Sequence, residues 1–220
     1  MTLYHIKKIE NDFEVDVNKS SEAWKNADEI TLQYLWDKFP YKPNVHVRCL
    51  YSTKYLYIRF EVEEDAIVST ATNINQPVHI DSCVEFFCAP ELSKKGEYYN
   101  LEMNCCRNVY MAYGKPKRLG EREFVSEALL SKIKSSSTIN GTTKELKDDD
   151  KRWEIEIKIP WEIYSSKSKN SVPAKGDKWM GNFYKCGDKL PRPHFGCWNK
   201  IKLESPDFHR PEFFGEIIFE

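Results

Sequence analysis

Short polar side chains recur at every second position in two consecutive segments of the chain. DSCVEFFCAP carries Glu85, and GEYYNLEMNCC carries Asn100, Glu102 and Asn104 on one face of an extended strand. If the two segments pair as a hairpin, Glu85 lies beside this row, because side chains on neighbouring strands are about 5 Å apart. A carboxylate accepts hydrogen bonds and an amide both donates and accepts them, so the row suits the hydroxyl groups of a sugar.

The same row is also compatible with the solvated face of an antiparallel sheet. Solvated faces usually collect Lys, Glu and Thr, whereas this row combines Asn and Glu with Tyr. The chain also holds six Trp, twelve Tyr and twelve Phe, and such rings stack on flat ligands. Two long loops, VSTATNINQPVHIDS and GDKLPRPHFGCWNKIKLESPDFHRP, are able to bring aromatic rings to the row. The residue types therefore favour a sugar site.

Alternation of apolar and polar residues predicts the strands that position this row. In KYLYIRFEVEE, Leu56, Ile58, Phe60 and Val62 fall on one face, and KRWEIEIKIP alternates in the same way. Helical signals are limited to residues 20–27, with Ser20 or Ser21 as the cap, and to residues 122–133 and 160–166. The predicted strands span residues 28–35, 44–51, 54–64, 83–89, 97–105, 108–114, 134–142, 151–160, 178–186 and 212–219.

Many short strands with few helices predict an all-β fold. The expected architecture is an antiparallel β-sandwich of the jelly-roll or immunoglobulin-like kind, with a few short helical turns. No internal repeat or linker interrupts the sequence, so residues 1–220 are predicted to form one domain.

Charge and hydropathy exclude several classes of protein. The net charge is -1, which gives no electrostatic preference for nucleic acid or for an anionic membrane. No apolar run approaches the ~20 residues of a membrane-spanning helix. The start, MTLYHIKKIENDF, has no apolar signal region. This predicts a cytoplasmic protein, or an exported one whose signal has been removed.

The seven cysteines and the absence of known catalytic motifs narrow the chemistry. An odd number of cysteines without regular spacing argues against a disulfide framework, and no C-x-x-C pair predicts a zinc site. They are interpreted as buried free thiols in a reducing compartment, and no metal ligands are assigned. The sequence lacks a G-x-S-x-G motif and a glycine-rich phosphate loop, which disfavours nucleophilic hydrolysis and nucleotide chemistry.

An ordered series of short motifs runs through nearly the whole chain: SEAWKNA, LYSTKYLYIRFEVEE, DSCVEFFCAP, YYNLEMN, KIPW, GNFYKCGD, GCWNKI and FHRPEFFGEIIF. Together they resemble the family 9 carbohydrate-binding modules. The resemblance implies a β-sandwich that works beside enzymes degrading plant polysaccharides and clamps a sugar, often at a chain's reducing end, between two tryptophans. In that family a glutamate, an arginine and amides supply hydrogen bonds, and structural calcium is associated with the fold.

The resemblance assigns polar contacts to several strand positions. Glu85 matches the sugar-binding glutamate of the V-E-x-F motif, and Asn104 lies where the following strand contributes a polar contact. Glu102 occupies the position of the family's arginine, which changes the charge of that contact. Tyr184, in GNFYKC, falls near a family glutamine, and Asn100 joins the set as a member of the polar row.

The two stacking walls depart from the family's tryptophan pair. His79 stands shortly before the V-E-x-F motif, where the first tryptophan is expected, and Phe208 stands in the final loop, where the second is expected. Both groups are planar but smaller than indole. His209 and Arg210 are predicted at the rim of the Phe208 wall, with an ion pair between Arg210 and a carboxylate that pins the loop as the alternative.

The predicted function is non-catalytic recognition of a mono- or oligosaccharide, with stacking on His79 and Phe208 and hydrogen bonds from the polar row. Two alternatives stay open. Glu85 and Glu102 are close enough to act as the carboxylate pair of a glycoside hydrolase, and the aromatic rim also suits a protein-interaction β-sandwich. Binding requires no cofactor, although structural calcium is implied. A glycoside hydrolase on another chain is a plausible partner.

Overall fold

Fourteen strands and two short α-helices are present in the part of the chain that a computed structural model describes, residues 2–91, 96–141, 143–147, 149–168 and 172–220. The strands are β1 (Leu3–Lys8), β2 (Glu29–Thr31), β3 (Gln33–Tyr34), β4 (Asn44–Tyr51), β5 (Tyr55–Glu63), β6 (Cys83–Ala89), β7 (Tyr98–Asn104), β8 (Val109–Gly114), β9 (Arg122–Phe124), β10 (Lys134–Ser137), β11 (Trp153–Pro160), β12 (Lys178–Cys186), β13 (Phe195–Cys197) and β14 (Gly215–Phe219). The helices are α1 (Glu127–Leu130) and α2 (Glu162–Ser165), and 3-10 turns span Val17–Lys19, Glu22–Asn26, Val78–Ile80, Lys117–Leu119 and Pro211–Phe213.

The strands form one curled sheet whose two halves face each other. Its order is β10-β11-β5-β4-β1-β14-β12-β6-β7-β8-β9. Strand β1 joins the halves, because residues 3–6 pair with β14 and residues 7–8 pair with β4. Both of these pairings are parallel, while the other pairings between described strands are antiparallel. The predicted all-β sandwich is thus confirmed, with a mixed rather than purely antiparallel sheet.

The predicted helix at residues 122–133 is wrong in its first half. Residues 122–124 form β9, which pairs with β8, and α1 begins only after Ser126, whose side chain caps it. The guanidinium of Arg122 donates to the carbonyl groups of Gly114 and Ala112, and these contacts hold the segment in the sheet. Nowhere in the described ranges is there a helix with the length and apolar character needed to span a membrane.

Apolar side chains from both halves of the sheet meet in the main core. Phe86 of β6 and Phe183 of β12 stack with their ring centroids 4.7 Å apart, and Phe60 of β5 packs on Phe183 from the opposite half at 6.3 Å. Leu56 and Ile58 are buried beside Phe60, which confirms the alternation predicted for β5. The packed interior holds β6, β7 and β12 in a fixed register.

A second apolar cluster lies on the outer face of β6, β7 and β12, where it is covered by the two long loops. The loops are also joined to each other, because the backbone N–H of Asp188 donates to the carbonyl of His79 at 3.1 Å. This outer face of the sheet is therefore buried rather than solvated. The cluster includes Trp36, Val78, Phe87, Tyr98, Tyr184, Phe208 and Phe214.

A buried ion cluster ties the two halves of the sheet to the final loop. The ammonium group of Lys185 lies 2.9 Å from a carboxylate oxygen of Glu64 and 2.7 Å from Nε2 of His194. Glu64 also accepts a hydrogen bond of 2.5 Å from the indole of Trp153. Burial, with the nearby charge of Lys185, lowers the pKa of His194 to about 2. The imidazole is therefore neutral, so Nδ1–H donates to the carbonyl of Arg192 and Nε2 accepts from Lys185.

The substitution Lys185→Met is expected to lower the free energy of unfolding by about 3–5 kcal/mol, because it leaves the Glu64 carboxylate buried without its cation. Urea denaturation at neutral pH measures the loss. Lys178→Met is the matched control, since Lys178 lies on the same strand but forms a half-exposed pair with Glu216 at 3.0 Å. That control is expected to change stability by less than about 1 kcal/mol. Equal losses in the two variants would contradict the role of the cluster.

Candidate functional site

A cavity of about 280 Å³ opens on the outer face of β6, β7 and β12. Its floor comes from these strands, and its walls come from the two long loops. The volume lies near the lower end of the range for small-molecule sites, roughly 300–1,000 Å³, which suits a single sugar unit or the end of a longer chain. The lining residues are His79, Glu85, Glu102, Cys186, Asp188, Phe195, Pro206, Asp207, Phe208 and His209.

The floor of the cavity is built by strand register. Glu85 lies directly opposite Glu102 in the β6–β7 pairing and opposite Tyr184 in the β6–β12 pairing. The predicted hairpin of the two polar segments is thus present. The side chains of Glu85 and Glu102 are only 3% and 4% exposed. A solvated sheet face does not bury two carboxyl groups in this way, so the row belongs to a built site.

Burial changes the protonation of these carboxyl groups. Desolvation raises the pKa of Glu85 well above its usual range, and the neighbouring Cys186 and Glu102 add to the effect. Desolvation likewise raises the pKa of Glu102 to about 7, against the hydrogen bond from Asn100 and the charge of Arg122. A protonated carboxyl group both donates and accepts hydrogen bonds, which matches the two-way hydrogen bonding of a sugar hydroxyl.

The two predicted walls line the same cavity. Phe208 stacks on Tyr184 with ring centroids 4.2 Å apart and planes 10° apart, and the hydroxyl of Tyr184 donates to the carbonyl of Phe208 at 3.2 Å. Tyr184 is itself fully buried, so it supports the Phe208 ring from behind and does not line the cavity. The imidazole of His79 is half-exposed, and its Nδ1 lies 3.9 Å from a carboxyl oxygen of Glu102.

Asn100 and Asn104 lie behind the cavity lining. The amide of Asn100 donates to Glu102 at 2.8 Å, and its carbonyl oxygen accepts from Arg122, so Asn100 orients the Glu102 carboxyl group. The amide of Asn104 donates to Ser69 and to Asp81, in both cases at 2.9 Å. These contacts anchor the loop before β6 to the end of β7.

His209 and Arg210 have different positions at the cavity mouth. His209 lines the cavity, and its Nδ1 lies 2.7 Å from the hydroxyl of Tyr98. Arg210 does not line it. Its Nε donates to the carboxylate of Asp207 at 2.6 Å, and that carboxylate also accepts from the backbone N–H of His209 at 3.0 Å. Of the two roles considered for Arg210, the geometry favours the ion pair that pins the loop.

The sequence profile of carbohydrate-binding family 9 matches residues 16–219. The chain belongs to this family. A candidate carbohydrate-binding protein from Bacteroides uniformis ATCC 8492 is 32% identical, with 99% of each chain covered and a TM-score of 0.88. A comparison with curated proteins gives no significant match.

A family 9 carbohydrate-binding module from Caldicellulosiruptor kristjanssonii shares the fold at lower identity. In the complex with glucose, the module has 13% sequence identity to this chain and a TM-score of 0.62. The alignment covers 100% of this chain and 96% of the module. In the complex with cellotriose, it has 12% sequence identity and a TM-score of 0.60, and the alignment covers 100% of this chain and 94% of the module. The family assignment supports a non-catalytic carbohydrate-binding module, and these two structures share its fold.

Five lining residues of this family 9 module were not predicted as site residues from its sequence: Cys186, Asp188, Phe195, Pro206 and Asp207. Cys186 lies two positions after Tyr184 on β12, so strand alternation places both on the same face. The other four belong to the long final loop, whose length and prolines already distinguished it. The signal for the loop was present, but nothing in its sequence indicated which of its side chains face inward.

The calcium that the family resemblance implies remains a prediction. Asp81 is a buried carboxylate in an oxygen-rich neighbourhood, but Thr70, Ala71 and Asn104 already donate hydrogen bonds to both of its oxygens. Calcium binds six to eight oxygen ligands. Among the described residues, Cys83, Glu85 and Cys186 bring their ligand atoms within 4.8 Å of one another, but the two sulfurs of this group do not suit calcium.

Acidification is expected to destabilise the module through His209. Burial, with the charge of Arg122, lowers the pKa of His209 to about 4, while an unfolded histidine titrates near about 6.5. Between these values the unfolded chain binds a proton that the native state does not, so stability falls as the pH falls. Relative to His209→Gln, the wild type should lose on the order of 2 kcal/mol more between pH 7 and pH 4.5.

Urea denaturation of both proteins across this pH range measures the difference. Groups that titrate alike in both proteins cancel in the comparison. The assignment is wrong if the two stability curves stay parallel from pH 7 to pH 4.5.

Proposed function

We propose that the cavity binds a neutral monosaccharide or the end of a neutral oligosaccharide without cleaving it. The observation that carries the proposal is the meeting of two planar side chains, Phe208 and His79, with two buried carboxyl groups, Glu85 and Glu102, in one cavity of about 280 Å³. Flat walls suit the apolar faces of a sugar ring, and the carboxyl groups suit its hydroxyls.

Two neighbouring aromatic rings hold the Phe208 ring in place in the absence of a ligand. Tyr184 covers one of its faces at 4.2 Å, and Phe195 contacts it edge-on at 6.1 Å. Only 9% of Phe208 remains exposed, and this part lines the cavity. A ring held in this way loses little side-chain entropy on binding, which partly offsets its smaller area relative to indole.

The charges of the cavity favour neutral sugars. Glu85, Glu102, Asp188 and Asp207 contribute four carboxyl groups, and none of the described lining residues is Lys or Arg. A uronic acid or sugar phosphate would bring a negative charge into this site, and no cation among the lining residues would balance it. The glucose and cellotriose bound by the Caldicellulosiruptor kristjanssonii module are neutral gluco-configured sugars, which makes them the first ligands to test.

A role in polysaccharide breakdown, with a glycoside hydrolase on another chain, is the proposed context for this binding. It is supported by the family assignment, because the resemblance implies an accessory module beside such enzymes. The alternative of hydrolysis by this chain is motivated by the opposed Glu85 and Glu102, and the same experiment tests it.

Calorimetric titration with glucose, cellotriose and glucuronic acid, with and without calcium, tests the proposal. Reducing-sugar release is measured in the same samples. Saturable heat with a neutral sugar, without new reducing ends, is the expected result. Cleavage of cellotriose would contradict non-catalytic binding and support hydrolysis, with Glu85 and Glu102 as the candidate acid and nucleophile. No heat with any sugar would direct the search to a protein partner.

The substitution Phe208→Ala is expected to weaken binding of the preferred sugar by about 1–2 kcal/mol, because it removes one stacking wall. Phe124→Ala is the matched control, since Phe124 is an exposed ring on β9 outside the cavity and its loss should leave the affinity unchanged. Titration calorimetry gives the two affinities, and thermal melting verifies that each variant is folded. Unchanged affinity in a folded Phe208→Ala variant would remove Phe208 from the site.

A further inference from the structure

The floor of the cavity contains two thiol groups that sugar binding does not use. Cys83 on β6 and Cys186 on β12 are directly opposed in the antiparallel register, and Glu85 follows Cys83 by two residues on the same strand face. Strand pairing thus brings three potential metal ligands together. Their ligand atoms, two Sγ atoms and one carboxyl oxygen, all lie within 4.8 Å of one another.

The group is already close to a coordinating arrangement. The thiol of Cys186 donates a hydrogen bond to a carboxyl oxygen of Glu85 at 3.0 Å. All three side chains are at most 3% exposed, so their positions are determined by strand packing. Around a tetrahedral ion with metal–sulfur bonds of about 2.3 Å, two sulfur ligands lie roughly 3.8 Å apart. Small side-chain rotations are therefore enough to close the group around a cation.

The donor set selects the class of ion. Two thiolates and one carboxylate suit a borderline-soft cation such as Zn²⁺, whereas Ca²⁺ and Mg²⁺ require oxygen ligands. Glu85 and Cys186 line the cavity while Cys83 lies beneath it. A fourth coordination position would therefore face the cavity, where water or another small ligand can reach it.

We propose that Cys83, Glu85 and Cys186 bind one thiophilic divalent cation of the zinc class at the floor of the cavity. The fourth coordination position of this cation faces the cavity. The inference goes beyond the proposed sugar binding and does not depend on it. Its test contains no sugar, so the two can fail separately.

Cobalt titration of the reduced, chelator-treated protein tests the site, because Co²⁺ replaces Zn²⁺ and gives a thiolate-to-cobalt absorption band in the ultraviolet. One equivalent of Co²⁺ should saturate the band, and Zn²⁺ should abolish it. Bound metal should also raise the melting temperature of the wild type, since the ion binds the native state. Absence of the band in the reduced wild-type protein would overturn the proposal.

The variants Cys83→Ser and Cys186→Ser should each weaken the band and lower the affinity at least about tenfold, since even residues behind metal ligands have effects of that size. Cys106→Ser is the control, because Cys106 is a partly exposed thiol outside the group and its loss should change neither quantity. Glu85→Gln should lower the affinity but keep the thiolate band. A band that survives in both Cys83→Ser and Cys186→Ser would overturn the assignment.

Thermal melting without metal identifies any variant that fails to fold. The folded variants among Cys83→Ser, Cys186→Ser and Glu85→Gln then decide whether these residues bind the cation. Directly opposed cysteines on antiparallel strands are also near enough for a cross-strand disulfide to be tested as the alternative. Loss of two titratable thiols in air, with no cobalt band in the reduced protein, would assign the pair to that bond and overturn the cation site.

Discussion

From Gly181 to Cys186, strand β12 is buried on both of its faces, and its polar side chains there need partners from the protein itself on each side. On the inner face, Lys185 is fully buried and is neutralised by Glu64, with His194 as a neutral acceptor. On the outer face, the hydroxyl of Tyr184 and the thiol of Cys186 find partners in Phe208 and Glu85. An unpaired polar group at any of these positions would be costly, so the final loop, which supplies His194 and Phe208, must close over the sheet.

The loops bury the floor of the cavity, and this burial changes the pKa of its carboxyl groups. Glu85 and Glu102 share a small buried floor, and desolvation raises the pKa of both carboxyl groups. They can then donate as well as accept hydrogen bonds. The loops also deliver the walls, because His79 and Phe208 stand on different loops that contact each other through Asp188. The positions of the lining residues thus depend on the same burial that organises the strand.

Phe208 and His79, the two proposed stacking walls, differ in how the protein supports them. Phe208 rests on Tyr184, and the Asp207–Arg210 pair holds the residues on either side of it. Among the described residues no ring stacks behind His79, but its imidazole lies near Glu102 and is able to form a polar contact that an indole carbon could not. The cavity lining therefore combines one apolar ring with one polar ring. The thiols of Cys83 and Cys186 beside Glu85 are the basis of the cation site proposed for the same floor.

The sequence by itself determined the features that depend on local periodicity. Alternating apolar residues predicted β5 and β11, and the short separation of β6 and β7 predicted that Glu85 and Glu102 would meet, because a hairpin pairs segments that are close in the chain. The loops bearing His79 and Phe208 were also recognisable from their length and composition.

Only the tertiary structure decided the features that depend on distant partners. Arg122 looked helical, but carbonyl groups of β8 hold it in a strand. Asn104 looked like a ligand contact, but Asp81 and Ser69 occupy its amide. Cys186 meets Glu85 across a separation of 101 residues. The sequence gives the type of each hydrogen-bonding side chain but not its partner. The partner is determined by how the sheet curls and by which loops close over it.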